Sequence, residues 1–465
     1  MFDARIDKAL ADATINSFWL ADKAAPAVSE HLASQEQANL LIVGGGFTGL
    51  WAAVKAAEKD QSRSIMLIEA GVIPAGASGR PCAMFNTSVL HGLTNAEREF
   101  PNDLAILEEL GVANFHELLA SLDRHQIDAQ VELNGELTLA IGDDAVPDLT
   151  QEYEKHLKYN HDVEFLNQQQ ARAVLNSPLV SGAMHTRSKA GTIHPAKLCW
   201  GLKAAAQKLG VRIYENSALT SIEEVGNQIL VKTQHGSIRC EKVLLGTNAF
   251  AAGHKKIRQR VTCIRDRILV TEPLSDEQIA SLNWQGRQAA YDTRIQLNYM
   301  RLTPDNRMLF GGRLGYFYGD NCDPAVDHTI EPYQMLAHNW LKTFPQLDGT
   351  KVDYVWGGPL GVTTRMAVHV QPYYNNKVLY VGGYSGFGVA ATHFGAELGL
   401  AILDDEPHPA RLLDIATTLP NRIPPDPFRT MGAKITMNAL DHVDEKGGWR
   451  KHWLRMVQAM GFPLY

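Results

Sequence analysis

Residues 39–43 form a continuous apolar run that ends in three glycines, the pattern of a strand buried on both faces. Beyond Gly49 the apolar positions Leu50, Ala53, Val54 and Ala57 recur at helical spacing. Ile65, Met66, Leu67 and Ile68 then make a second buried strand that stops at Glu69. Strand, helix and strand in that order predict one βαβ unit. Further along, periodicity predicts helices over 102–125, 194–209, 332–344 and 388–403. Strand patterns occupy 211–214, 219–224, 229–233 and 242–246, and the segment 131–141 reads as a hairpin turning at Asn134-Gly135. Alternation over 267–271, 297–302 and 308–312, with Pro304-Asp305-Asn306 as a turn, predicts an antiparallel sheet. A last buried strand at 378–381 leads through Gly382-Gly383 towards the final long helix.

At 465 residues the chain is too long for one small core, and two or three structural units are expected. Its 45% apolar and 20% charged content is that of an ordinary globular protein. A net charge of −7 argues against a nucleic-acid partner, whose phosphates would call for a basic surface. Asp3, Asp7 and Asp12 break any positive leader region, and the apolar runs are strand-sized, so no integral membrane segment is expected. The five cysteines are scattered, with no CxxC, which points to reduced thiols in a cytoplasm rather than to a dithiol pair or a zinc ribbon. No metal-ligand spacing occurs. The basic, amphipathic stretch 449–460 reads as a surface or partner-contacting helix.

The first glycine cluster, Gly44-Gly45-Gly46-Phe47-Thr48-Gly49, satisfies G-x-G-x-x-G in its required setting between strand and helix. Gly44 allows the tight turn, Gly46 lets the backbone approach a pyrophosphate, and Gly49 lets helix and strand pack closely. The helix start at Phe47 and Thr48 offers N–H groups and a positive dipole end to phosphate. Glu69, followed by Ala70, can accept from the ribose hydroxyls. Two more segments favour FAD over NAD: Gly76-Ala77-Ser78-Gly79-Arg80, and Gly382-Gly383-Tyr384-Ser385-Gly386-Phe387-Gly388 before the last long helix. A second glycine-rich strand-to-helix turn suits a long ligand gripped at both ends, with a helix N-terminus stabilising negative charge on a reduced flavin.

The segments 41–49, 76–80, 191–197, 243–249, 299–313 and 381–390 together resemble the FAD-dependent glycine/D-amino-acid oxidase superfamily, in particular its gamma-glutamylputrescine oxidoreductase-like branch. The resemblance covers about residues 15–410. It implies an α/β (α+β) fold in which a Rossmann-type FAD-binding domain is interleaved with a substrate domain of mainly antiparallel sheet. The expected division is a lead-in segment at 1–36, FAD-binding segments at 37–105, 180–250 and 370–410, substrate-binding segments at 106–179 and 251–369, and a helical extension at 411–465. It also implies noncovalent FAD, hydride transfer from an amine to flavin N5, and hydrolysis of the imine. Pro81-Cys82-Ala83 stand where the branch usually has Asn-Gly-Gly, and 363–367 also departs from the usual form. No lysine stands where sarcosine oxidases of the family present one to oxygen, so the electron acceptor is oxygen or another molecule.

Amine oxidation by a flavin needs orientation and charge control more than a catalytic triad. Arg301, inside the alternating run Tyr299-Met300-Arg301-Leu302, is placed to meet an anionic group of the substrate. Tyr299 and Trp356, with Phe85, Tyr384 and Phe387, are candidates to box an amine. Arg80 is expected in the FAD site through phosphate or backbone contact. His91 and His194 read mainly as packing or capping residues, and Cys82 as a thiol without a covalent flavin. The expected reaction is C–N oxidation of a small amine or amino acid carrying an anionic group, such as a gamma-glutamylated amine, an N-methyl amino acid or an aminoalkylphosphonate. The rival readings are a FAD-dependent 2-hydroxy-acid dehydrogenase and a flavin-bearing subunit of a larger complex. A monomer or small homo-oligomer is expected.

Overall fold

A computed structural model describes residues 4–253 and 255–462. The run at 39–43 becomes the end of the strand Gln35–Val43, the centre of an eight-stranded sheet. It pairs in parallel with Ile65–Ile68 on one side and Ser237–Leu245 on the other, and Arg212–Tyr214 and Val378–Gly382 extend the parallel arrangement. Both faces are covered, which is why the run is apolar without alternation. Leu40 and Ile42 pack beneath the helices Phe47–Lys59, Pro195–Lys208 and Ala391–Asp404, while Leu41 and Val43 face Ile229, Val231 and Tyr380. No helix among the described residues is long and apolar enough to cross a membrane.

The alternating segments build a nine-stranded sheet. Its middle strands are Val352–Val362, Thr262–Pro273, Arg307–Tyr316 and Asn298–Leu302, each antiparallel to the next. Beyond them come Ala289–Asp292, Glu136–Ile141, Val180–Thr186 and Val163–Asn167. One face buries Leu269, Met300, Leu302, Met308 and Phe310 against the helix Glu331–Thr343. The other face packs Ile268, Val270, Leu309 and Trp356 against Trp19, Cys82 and Trp200, and so looks towards the parallel sheet's connecting segments.

Several expected elements are placed differently. The segment 131–141 is not a hairpin. Glu132 bridges Thr192, the chain turns at Gly135 with φ +81°, and Glu136–Ile141 then joins the nine-stranded sheet. The strand Val180–Thr186, grouped above with the FAD-binding segments, pairs in the nine-stranded sheet. The helix Leu104–Arg124, grouped with the substrate-binding segments, buries Leu104, Leu107, Phe115, Leu118 and Leu122 in the core above the parallel sheet. The lead-in is structural as well: Thr14–Ile15 adds a parallel edge strand to Val352–Val362, and Trp19 is 1% exposed. Each misplacement concerns which sheet an amphipathic element joins, a long-range choice that local periodicity does not encode.

Candidate active site

The first glycine turn is sterically fixed. Gly44 has φ +108°, and a Cβ on Gly49 would lie 1.9 Å from the Gly44 carbonyl oxygen. The helix Phe47–Lys59 starts here with no acidic residue in its first turn and no side-chain cap at Gly46. Its dipole is therefore not neutralised by a carboxylate of the chain's own first turn, as an anion-binding helix start requires. The Glu69 carboxylate braces the turn, accepting from the N–H of Gly45 at 2.6 Å and of Gly71 at 2.9 Å, while Ala70 is exposed beside it. Ser78 Oγ accepts from the Phe47 N–H at 2.9 Å, so the second segment folds back onto the first turn. The glycines, which leave no room for a Cβ, and a helix start without an acidic first-turn residue fit the diphosphate of a dinucleotide.

The second glycine turn lies against the first. Thr48 Oγ1 and the Tyr384 hydroxyl are 3.0 Å apart, and the helix Ala391–Asp404 packs on the helix Phe47–Lys59. Gly383, Ser385 and Gly386 all have positive φ, and a Cβ on Gly386 would meet nothing within 4 Å. Ser385 ties this turn to the nine-stranded sheet, its N–H donating to Gly361 O at 3.0 Å and its Oγ accepting from the Thr363 N–H at 3.2 Å. Phe387 is half-buried beside Gly388 and meets the His91 ring at 5.4 Å. Tyr384 is core: it is buried between the helices rather than lining an open face.

Between the turns and the nine-stranded sheet runs the segment that replaces Asn-Gly-Gly. Four successive carbonyls leading into and through this segment, from Gly79 to Cys82, are each held by a side chain. Ser17 Oγ donates to Gly79 O at 2.8 Å, Trp356 Nε1 to Arg80 O at 2.8 Å, Trp19 Nε1 to Pro81 O at 2.9 Å, and Arg301 Nη1 to Cys82 O at 3.3 Å. Ala83 follows with φ +62°.

This changes the reading of two expected site residues, Arg301 and Trp356. Arg301 is 1% exposed, also donates to Ile193 O at 2.9 Å, and stacks over Trp19 at 5.5 Å. Its guanidinium is committed to backbone carbonyls rather than aimed at a substrate anion, because a buried guanidinium must find acceptors and the loop supplies them. Trp356 is fully buried as the donor beneath the loop, not a wall of an amine box. Arg80 crosses to the nine-stranded sheet, passing Gly358 and donating to Gly357 O at 2.9 Å, a backbone contact. Phe85 stacks on Phe115 in the core, and His194 is a cap, its Nδ1 accepting from the Lys197 N–H at 3.2 Å.

Tyr299 and Asp266 are both half-buried on the sheet face that packs against Trp19 and Cys82. The Tyr299 hydroxyl donates to Asp266 Oδ2 at 2.5 Å. Burial pushes Asp266 up from the ordinary carboxylate range, opposed by that hydrogen bond and by Arg267. On the same sheet face, Tyr291 pairs across from Tyr299, Thr138 across from Tyr291, and Glu136 stands two residues before Thr138. Burial pushes the Glu136 carboxyl up to about 7, with Asn86 Nδ2, 3.4 Å away, pulling the other way. Sequence reasoning missed Asp266, Glu136 and Tyr291. The one available signal was a carboxylate inside an apolar alternating strand. Among the described residues, no group of three His, Cys, Asp or Glu side chains is placed to hold a metal ion.

A parallel sheet with a glycine-rich helix start, packed beside an antiparallel sheet, is the arrangement of a dinucleotide-binding protein. The chain belongs to the FAD dependent oxidoreductase family (DAO), whose profile matches residues 39–399. It is 31% identical to gamma-glutamylputrescine oxidoreductase of Escherichia coli (strain K12), over 85% of this chain and 91% of that protein. It is 28% identical to the probable oxidoreductase OrdL of Haemophilus influenzae, over 80% of this chain and 84% of that one. In fold it matches glycine oxidase from Geobacillus kaustophilus, with a TM-score of 0.68 and 16% identity, covering 82% of this chain and 99% of that structure. The protein is thus a FAD-dependent enzyme, with the α/β fold that the sequence resemblance implied.

Proposed function

We propose that the protein oxidises the C–N bond of a small amine or amino acid, and that the sheet face formed by Tyr299, Asp266, Tyr291 and Glu136 receives the nitrogen. The observation that carries this reading is two carboxylates, Asp266 half-buried and Glu136 buried, on one sheet face that packs against the chain following the second glycine segment. In the proposed arrangement the turn at Gly44–Gly49, with Glu69, Ala70, Ser78 and Gly79, holds the adenosine diphosphate half of FAD. The turn from Gly383 to Gly388 holds the flavin end. Bound FAD supplies the two-electron acceptor for hydride from the carbon next to nitrogen. Cys82 suits noncovalent binding, since burial pushes its thiol up to about 12 and leaves it protonated.

The chain's own part is binding and proton control. A substrate amine reaches the enzyme as an ammonium ion, which an acidic wall attracts, but it must lose a proton before its C–N bond can be oxidised. Glu136, titrating near neutrality, is placed to take that proton at its carboxylate oxygen. Tyr299 holds Asp266 in place and favours its ionised form against the effect of burial. The relative from Escherichia coli carries gamma-glutamylputrescine in its name, and a gamma-glutamylated amine or another amine bearing an anionic group remains within the proposed substrate class. With Arg301 committed to carbonyls, the amine end rather than the anion carries the recognition.

One observation favours a second reading. His91 lies against Phe387 of the second glycine turn and burial holds its pKa down to about 4, so it is neutral and able to accept a hydroxyl proton from a 2-hydroxy acid. Mass-spectrometric product analysis, with the holoenzyme, a dye acceptor and matched panels of amines and hydroxy acids, separates the two. Aldehyde or keto acid released with ammonia or a smaller amine supports C–N oxidation. Turnover of hydroxy acids alone overturns it.

A further inference from the structure

Cys263 and Cys322 are 59 residues apart in sequence, yet their Sγ atoms lie 3.7 Å apart, in van der Waals contact. Cys263 sits in the strand Thr262–Pro273 and is buried; Cys322 follows the turn at Gly319 and Asp320 and is half-buried, so a small molecule reaches it. The two chain segments are laced together on both sides of the sulfurs. Asp320 accepts from Thr262 Oγ1 at 2.7 Å and from the Cys263 N–H at 2.9 Å, and the carbonyls of Asn321 and Asp323 accept from Arg265 at 3.2 and 2.9 Å. The other three cysteines are buried.

We propose that Cys263 and Cys322 are a redox pair that a hydroperoxide converts into an intramolecular disulfide. The two thiols are unequal in the way such a reaction needs. The contact with Cys263 and the Arg265 charge hold Cys322 below the ordinary thiol range, while the same contact and burial push Cys263 up. The Cys322 thiolate attacks the peroxide oxygen, the O–O bond breaks, and Cys322 becomes a sulfenic acid with release of water or alcohol. The Cys263 sulfur then attacks the Cys322 sulfur. The S–O bond breaks, and the hydroxide leaves with the Cys263 proton as water. Two thiols lose two electrons and the hydroperoxide gains two. The sulfurs need only close from 3.7 Å to about 2.0 Å.

The bond would fasten a segment that other parts of the chain use as an anchor. Asp320 also pairs with Arg258 and with Arg429 of the helix Phe428–Lys446, so oxidation would pin the docking point of the C-terminal helices to the nine-stranded sheet.

The test exposes the full-length holoprotein to hydrogen peroxide, then denatures it and labels free thiols with a maleimide. Labelled thiols are expected to fall from five to three, with a mass loss of about 2 Da and a non-reduced peptide joining Cys263 to Cys322, all reversed by dithiothreitol. In Cys263→Ser, Cys322 should instead be trapped by dimedone as a sulfenic acid. Five labelled thiols after treatment, or oxidation confined to Cys82, Cys199 or Cys240, or a bond between two molecules, would overturn the proposal. The wild-type peptide map decides the matter even where a serine variant fails to fold.

Discussion

Tyr299 reaches Asp266 across an intervening strand, and it does so by lying over Gly311, where a Cβ would come within 2.2 Å of its ring. The pair therefore depends on a three-strand register, 298–302 on 307–316 on 262–273, with glycine at the crossing point. The hydroxyl supports the ionised form of a carboxylate that burial disfavours.

Tyr299→Phe removes that support. Asp266 should titrate higher still, so the acid limb of the kcat/KM profile should move up by roughly one pH unit, with about a tenfold loss of rate at pH values below that limb. A profile superimposable on that of the parent would show that Asp266 is not used in its charged form.

Glu136 should reveal itself in stability as well as in rate. Its folded-state value, about 7, stands above the ordinary 4.5, so the fold favours the protonated carboxyl. That contribution is fully present below about 4.5 and is lost as the pH rises through about 7. Urea unfolding of the apoprotein should show Glu136→Gln gaining on the parent between pH 5 and pH 8, by roughly 1–3 kcal/mol. A difference that does not change with pH would mean that Glu136 is ionised in the fold at neutral pH.

The lead-in tryptophan should matter far beyond its own segment. Trp19→Ala removes a large buried side chain and should cost about 3–5 kcal/mol by denaturant titration. Trp19→Phe keeps most of the volume but leaves Pro81 O without its donor, at about 1 kcal/mol. Both should weaken FAD retention, since the loop they release carries Ser78 and Gly79. Unchanged flavin retention in Trp19→Ala would separate the loop from the cofactor.

The first glycine turn gives the sharpest steric prediction. Gly49→Ala drives a Cβ to 1.9 Å from Gly44 O and should yield protein without flavin absorbance. Gly432→Ala, in the helix Phe428–Lys446 where a Cβ would meet nothing within 4 Å, is the matched control and should keep FAD while gaining about 1 kcal/mol of helix propensity. Normal flavin content in Gly49→Ala would remove this turn from the cofactor site.

The parts legible in the sequence were those that local physics encodes. Both faces of the run at 39–43 are buried, so the run is apolar throughout, and the tight approach at Gly49 admits nothing larger than glycine. The second turn announced itself through its glycines. What stayed hidden depends on register between distant strands. Asp266 meets Tyr299, and Cys263 meets Cys322, only once sheet order is known. Arg301 shows the limit of alternation: it does share a sheet face with Tyr299, but which acceptors fill that face is set by the loop 79–83 arriving from elsewhere.

The central claim is most directly tested by mixing the holoenzyme anaerobically with amines, amino acids and 2-hydroxy acids while following flavin absorbance. Bleaching by an amine or amino acid, at a rate that falls in Tyr299→Phe and Glu136→Gln, is the result expected here. Bleaching by hydroxy acids alone, or by amines at a rate indifferent to both substitutions, would contradict it.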